Sequence, residues 1–268
     1  MKRFLNESGR RVPAWGSLLL SLIAWLIVSG TNLMAMDIKG AGIWRSEESG
    51  HKLTESHEQQ LLQNLKRITG LSELRFSENG QFQFGAATGS DGGSATARQV
   101  LQRAIDSGFV FLIEDHNESP TVNFGQMDEG TLYEDESTKR RFLAWRIRLD
   151  FDDFRKIGAS REVRESFSIG FTFLHELLHG LGHRDAQAIE EIGECEELVN
   201  KVRLELELPT RDQYFAEQLR ITGNYFTLRL RFRSHSRQKK QYLFFLVPPG
   251  GVVAELAESV IKARRPRR

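Results

Sequence analysis

The chain of 268 residues contains one cysteine, Cys195, so no internal disulfide can form even in an oxidising compartment. Cys195 is therefore read as a small core residue on a helix, with metal ligation as the alternative. Charge of one sign is missing too. Lys and Arg number 37 against 36 Asp and Glu, and a net charge of +1 excludes a protein that binds nucleic acid over its whole surface. No internal repeat is found, which excludes a repeat architecture. What remains is a globular composition, 40% hydrophobic and 27% charged, long enough for one domain with a sizeable core.

Charges are also absent from Val12 to Met36, where Leu18 to Val28 is strongly apolar, and Lys2, Arg3, Arg10 and Arg11 precede that run. A basic start followed by an apolar stretch reads as a signal peptide, or as an N-terminal membrane anchor if uncut, over residues 1–36. The expected location is outside the cytoplasm, secreted or periplasmic, or held at the membrane.

The stretch FTFLHELLHGLGHRD, Phe171 to Asp185, carries His175, Glu176 and His179 in the order H-E-x-x-H. Residues four apart share a helix face, so two imidazoles can reach one metal ion while Glu176 stands beside the open coordination position. Phe167, Phe171, Leu174, Leu178 and Leu181 recur at three- and four-residue steps, which predicts a helix with a buried stripe, ended by Gly180 and Gly182. The expected cofactor is Zn2+ and the expected chemistry is water activation, with Glu176 as general base.

Around that helix the pattern predicts an α+β fold. Residues 37–95 read as a helix over 56–70, a hairpin about Asn79-Gly80 and a Gly-rich connection over Gly85–Ser94. Residues 96–215 form the expected catalytic core. It includes a helix over Thr96–Ser107, strands over Phe109–Ile113 and Leu143–Phe151, a short strand over Val122–Phe124 and a loop over Asp128–Thr138. Residues 216–268 read as a hairpin, Tyr225–Arg233 with Tyr242–Val247, then a helix over Val252–Arg264 and a basic tail.

The third metal ligand has two answers. Gly182 and Asp185 fall eight and eleven positions along from His175, counting it as one. This resembles the metzincin pattern H-E-x-x-H-x-x-G-x-x-[HD], although no methionine follows Met127 to supply that family's methionine turn. The other answer, and the preferred one, is Glu196 on the next helix, with Asn200 four residues on to take a histidine ring N–H, and with Glu190, Glu191, Glu194 and Glu197 as competitors. That arrangement resembles the gluzincins. The run Val199 to Tyr214 is similar to the segment after the metal site in bacterial toxin- and effector-type zinc metallopeptidases, through Asn200, Arg203, Glu205, Leu206, Pro209, Arg211 and Tyr214. The resemblance implies a zincin-like domain in which a small mixed sheet packs on the H-E-x-x-H helix. It also implies that Arg211 and Tyr214 are electrophilic partners of the tetrahedral intermediate.

The function expected is a zinc metalloendopeptidase acting on polypeptide substrates, with membrane association through the N-terminal segment and no nucleic-acid partner. The alternative is a catalytically weak zinc-binding or interaction protein on the same scaffold. Arg229, Arg231, Arg233, Arg237, Lys239 and Lys240 are read as a solvated strand face.

Overall fold

The computed structural model describes residues 40–84, 92–128, 130–134, 139, 141–188, 191–222, 225–234 and 239–247. All belong to one compact unit beginning at Asp37. The N-terminal segment, most of the Gly-rich connection, the helix expected over Val252–Arg264 and the basic tail lie outside the described residues. Among the described residues no helix is long and apolar enough to cross a membrane.

The fold is α+β. Strands β1 (Gly42–Arg45), β4 (Val110–Asp115) and β7 (Arg141–Leu149) run parallel, and β5 (Gly125–Met127) and β6 (Thr131–Glu134) add antiparallel to β7. A hairpin, β2 (Leu74–Phe76) with β3 (Phe82–Phe84), turns at Asn79-Gly80 as its sequence predicts. Two expectations need correction. The segment expected to be a loop over Asp128–Thr138 contains β6, and the strand expected at Val122–Phe124 begins only at Gly125.

Helix α1 (Glu55–Thr69) starts where Thr54 Oγ1 accepts from the His57 amide at 3.2 Å, and it buries Leu61, Leu65 and Ile68 at helical spacing. Helix α2 (Ala95–Asp106) is capped in the same way by Ser94 and buries Val100, Leu101 and Ala104. Short α3 (Arg161–Ser166) leads into α4 (Ile169–Gly180), which carries the histidines, and α5 (Glu194–Glu205) follows. Helix α4 is the hub, touching α1, α2, α5, β5 and β7. Its burial on nearly every side explains why its sequence is apolar beyond a single stripe.

A second sheet orders β11 (Lys240–Val247), β10 (Tyr225–Arg233) and β8 (Thr210–Arg211), with β9 (Glu217–Thr222) also on β10. The expected C-terminal hairpin pairs antiparallel, so that Leu228 faces Phe245 and Leu230 faces Leu243. These residues form a second core with Phe124, Ile157, Val163 and Phe167. On the other strand face Asp212 pairs with Arg231 and Arg233, and Glu217 pairs with Arg229.

Candidate metal centre

Two turns of α4 put His175 and His179 side by side, with ring centroids 5.0 Å apart. The chain then reverses at Gly182, whose φ of 91° belongs to the left-handed region. Asp185 returns to the histidines and is fixed by a backbone bridge to Gly193 at the start of α5. Gly193 has φ 85°, and a Cβ there would lie 2.2 Å from the Ala186 nitrogen, so no other residue lets the two segments approach this closely.

Asp185 Oδ1 lies 3.1 Å from His175 Nε2, and Asp185 Oδ2 lies 3.2 Å from His179 Nε2. A tetrahedral zinc ion with bonds of about 2.0–2.1 Å keeps its ligand atoms about 3.3–3.4 Å apart, close to both spacings. Asp185 Oδ1 is buried and makes no hydrogen bond despite that short distance. The far ring nitrogens are already served: His175 Nδ1 faces Glu196 Oε2 at 3.5 Å, and His179 Nδ1 donates to the His183 carbonyl at 3.3 Å. Each ring thereby has its Nε2 turned toward Asp185, so that loss of the Nε2 proton would leave the tautomer a metal ligand needs. The residues therefore fit a metal ion. His175, His179, Asp185 and Cys195 each offer one donor atom, and all four atoms lie within 4.8 Å of one another. Cys195 Sγ, however, lies 3.5 Å from His179 Nδ1, the nitrogen turned away from Asp185.

The electrostatics have the same sense. Burial disfavours charge on His175, but the carboxylates of Asp185 and Glu196, with Glu176 nearby, outweigh it and raise the imidazole to about 10. His179 is raised against its own burial, chiefly by Asp185. Burial opposes the Asp185 charge, yet the two imidazoles hold its carboxyl below the usual range. Without a metal, this pocket holds protons where an ion would supply the positive charge. Burial raises Glu176, against the pull of both histidines. It also raises the thiol of Cys195 and the phenol of Tyr214.

No family model matches this chain, and neither does any curated protein or solved structure.

The other expected site residues divide sharply. Glu196, the preferred third ligand, lies behind His175 and not beside Asp185. Despite complete burial it is held well below the normal carboxylate range by Arg203 and Arg211, with which it forms ion pairs. Asn200 does not reach a histidine. Its Oδ1 accepts from the Arg211 amide and Arg203 Nη1, both at 2.8 Å, and its Nδ2 donates to the Arg211 carbonyl at 2.8 Å. Arg211 has its three side-chain nitrogens on Glu196, the Gln213 carbonyl and the Tyr214 carbonyl. Tyr214 does join the site, its hydroxyl donating to Asp185 Oδ2 at 2.5 Å and its ring stacking near His175. Of the remaining glutamates, Glu194 accepts from the Arg184 amide and Glu191 from the Gln187 amide, while Glu197 is exposed. Glu190 lies outside the described residues.

The contribution that sequence reasoning missed is Arg203. Its Nε donates to the Ser166 carbonyl at 2.9 Å, its guanidinium lies over Phe171, and it is 2% exposed. The i, i+7 spacing of Glu196 and Arg203 on one helix was the available signal. Beside His175 and Glu176 opens a cavity of about 200 Å³, lined by residues of both cores.

Proposed function

We propose that the chain is a zinc-dependent metallopeptidase of zincin-like arrangement, with His175, His179 and Asp185 as the ligands and Glu176 as general base. The observation that carries the reading is the convergence of two Nε2 atoms on one carboxylate while both Nδ1 atoms face other acceptors. A zinc ion there supplies a Lewis acid that makes water nucleophilic near pH 7 and polarises a peptide carbonyl.

The chain's own residues do the rest. Glu176 follows His175 directly on α4, and burial lifts its carboxyl toward the range in which a base accepts a proton from water and passes it to the leaving amine. Glu196 faces the His175 Nδ1–H as an acceptor at 3.5 Å and orients the ring, and Arg203 and Arg211 keep Glu196 ionised. Tyr214 donates its hydroxyl proton to Asp185 and so holds the ligating carboxylate in place beside His175. Arg211 positions Tyr214 through the Tyr214 carbonyl and lies over its ring at 5.1 Å. The N-terminal segment exports or anchors the enzyme in this reading.

The test is zinc content and hydrolysis of a mixed peptide pool by the wild type and Glu176→Gln. One zinc per chain in both, with cleavage by the wild type alone, is the expected result. A zinc-loaded wild type that cuts nothing would leave the alternative, a zinc-binding scaffold without turnover.

A further inference from the structure

An antiparallel sheet with one face in water alternates apolar residues inward with polar residues outward. The second sheet breaks that rule on its outer side. Leu228, Leu230 and Phe232 of β10 and Leu243, Phe245 and Val247 of β11 are buried in the second core, yet Tyr225, Phe244 and Leu246, at the outward positions, are 49%, 38% and 57% exposed. Leu219 of β9 is exposed as well, so four of the six large apolar side chains exposed among the described residues lie in this sheet. Such a concentration marks an interaction surface. Leu230 and Phe245 line the cavity beside His175, so the outer face is turned away from it.

The strand register sorts this face into two ends. Thr227 lies opposite Leu246, Arg229 opposite Phe244, Arg231 opposite Tyr242 and Arg233 opposite Lys240. One end is therefore apolar and the other cationic. Between them the Arg229 guanidinium lies 4.7 Å from the Tyr242 ring centre, and that ring stands 6.3 Å from Phe244. The carboxylates paired on this face are Glu217, with Arg229, and Asp212, shared by Arg231 and Arg233. Two carboxylates against Arg229, Arg231, Arg233 and Lys240 leave the face positive. Glu162 of α3 accepts from Gln241, which lies opposite the buried Phe232 and so belongs to the inner side.

Apolar side chains, then aromatic rings, then cations is the order of chemistry met on passing from lipid chains through the bilayer interface to the phosphates. Single-stranded nucleic acid asks instead for cations interleaved with stacking rings along a whole track, and offers nothing to Leu246 or Leu219. We propose that the outer face of this sheet docks on a membrane surface containing anionic phospholipid, with Tyr225, Phe244 and Leu246 entering the interface and Arg231, Arg233 and Lys240 meeting the phosphates. This docking needs neither zinc nor turnover, and it is distinct from tethering through residues 1–36.

The test puts a reporter on this face of the full chain. Cys195 is completely buried, so Thr227→Cys gives a new thiol for an environment-sensitive fluorophore, and Arg103→Cys, exposed on α2, is the control. Any tethering through residues 1–36 is common to all variants, so the readout is the label's emission and its quenching by doxyl lipids, not the bound fraction. On vesicles of equal phosphatidylcholine and phosphatidylglycerol the label at 227 should shift to shorter wavelength and be quenched, and the label at 103 should do neither. Phe244→Gln with Leu246→Gln should raise the lipid concentration giving half the response at least about tenfold. Arg233→Gln with Lys240→Gln should raise it about 25-fold, or fivefold for each basic residue, and added salt should act in the same direction. All four side chains point outward, so the melting temperature should hold in both variants.

No response at 227, or an equal response at 103, would overturn the proposal. A label already shielded without lipid would overturn it too, since another segment or a second copy would then cover the face. An equal response on pure phosphatidylcholine would remove the role of the cations, and a stronger response to single-stranded RNA than to vesicles would assign the face to nucleic acid.

Discussion

Two clusters of histidines and carboxylates stand out among the described residues, and one of them could hold a metal ion. At the end of β4, His57 Nδ1 meets Asp115 Oδ2 at 2.6 Å, His116 Nε2 meets Glu114 Oε2 at 3.1 Å, and His51 stacks on His116 at 4.3 Å. Glu114 is further neutralised by Arg146 at 2.8 Å, and His57 lies flat on Phe151. His57 and His116 there each have their own carboxylate, and His51 only stacks on His116. In the α4 cluster two imidazoles share one carboxylate, and their remaining nitrogens face other acceptors. Among the described residues only the latter group brings its donor atoms within 4.8 Å of one another. The difference is convergence and not composition: His57 and His116 are each tied to a separate carboxylate, whereas His175 and His179 meet at one.

The sharpest way to break the comparison is to remove a histidine from each cluster. His179→Ala should lose zinc and all hydrolysis after dialysis against a mild chelator, whereas His57→Ala should retain one zinc per chain, as read by metal analysis. Zinc kept by the first or lost by the second would reverse the assignment.

Next in size is Glu176→Gln, which should keep its zinc but reduce turnover by about 10²–10⁴, the usual contribution of a positioned base. A third pair distinguishes ligand from support. Asp185→Asn should lose zinc under the same dialysis. Glu196→Gln should hold it about 10–100-fold more weakly, the typical cost of losing a partner to a ligating histidine. Competition with a chromophoric chelator measures both, and the reverse order would restore Glu196 as the ligand.

The smallest effect is on pH dependence. In the metal-free protein His175 titrates at about 10, above the about 6.5 of an unfolded histidine. Its proton thus stabilises the metal-free fold fully below about pH 6.5, and that contribution disappears as pH rises through about 10. Zinc needs the deprotonated ring, so binding near pH 7.5 should release at least about one proton per ion. Calorimetry in buffers of different ionisation heat reads this number. The melting temperature of metal-free protein should fall between about pH 7 and 10 relative to the zinc-loaded form.

The α4 histidines were legible because a helix converts spacing four into a shared face, and Gly182 was legible because only a left-handed residue returns the chain so soon. The hairpins were legible from alternation and from Asn79-Gly80. Strand β6 was not, since Leu132, a large apolar residue in it, is 61% exposed and the strand's order comes from its partner β7. Nor could sequence decide between Asp185 and Glu196. Both approach His175, and the distinction lies in which ring nitrogen each one faces, which depends on how α5 docks. The same docking explains Asn200 and Arg211, whose predicted roles assumed partners that Glu196 and the local backbone already occupy.

Gly193 carries a consequence for how this protein tolerates change. The bridge to Asp185 leaves a gap too narrow for one methyl group, so Gly193→Ala must push the Asp185 loop away from α5. A position with no donor atom, no charge and no side chain would then behave in a loss-of-function screen like a coordinating residue, and tolerance at 193 should track tolerance at 185.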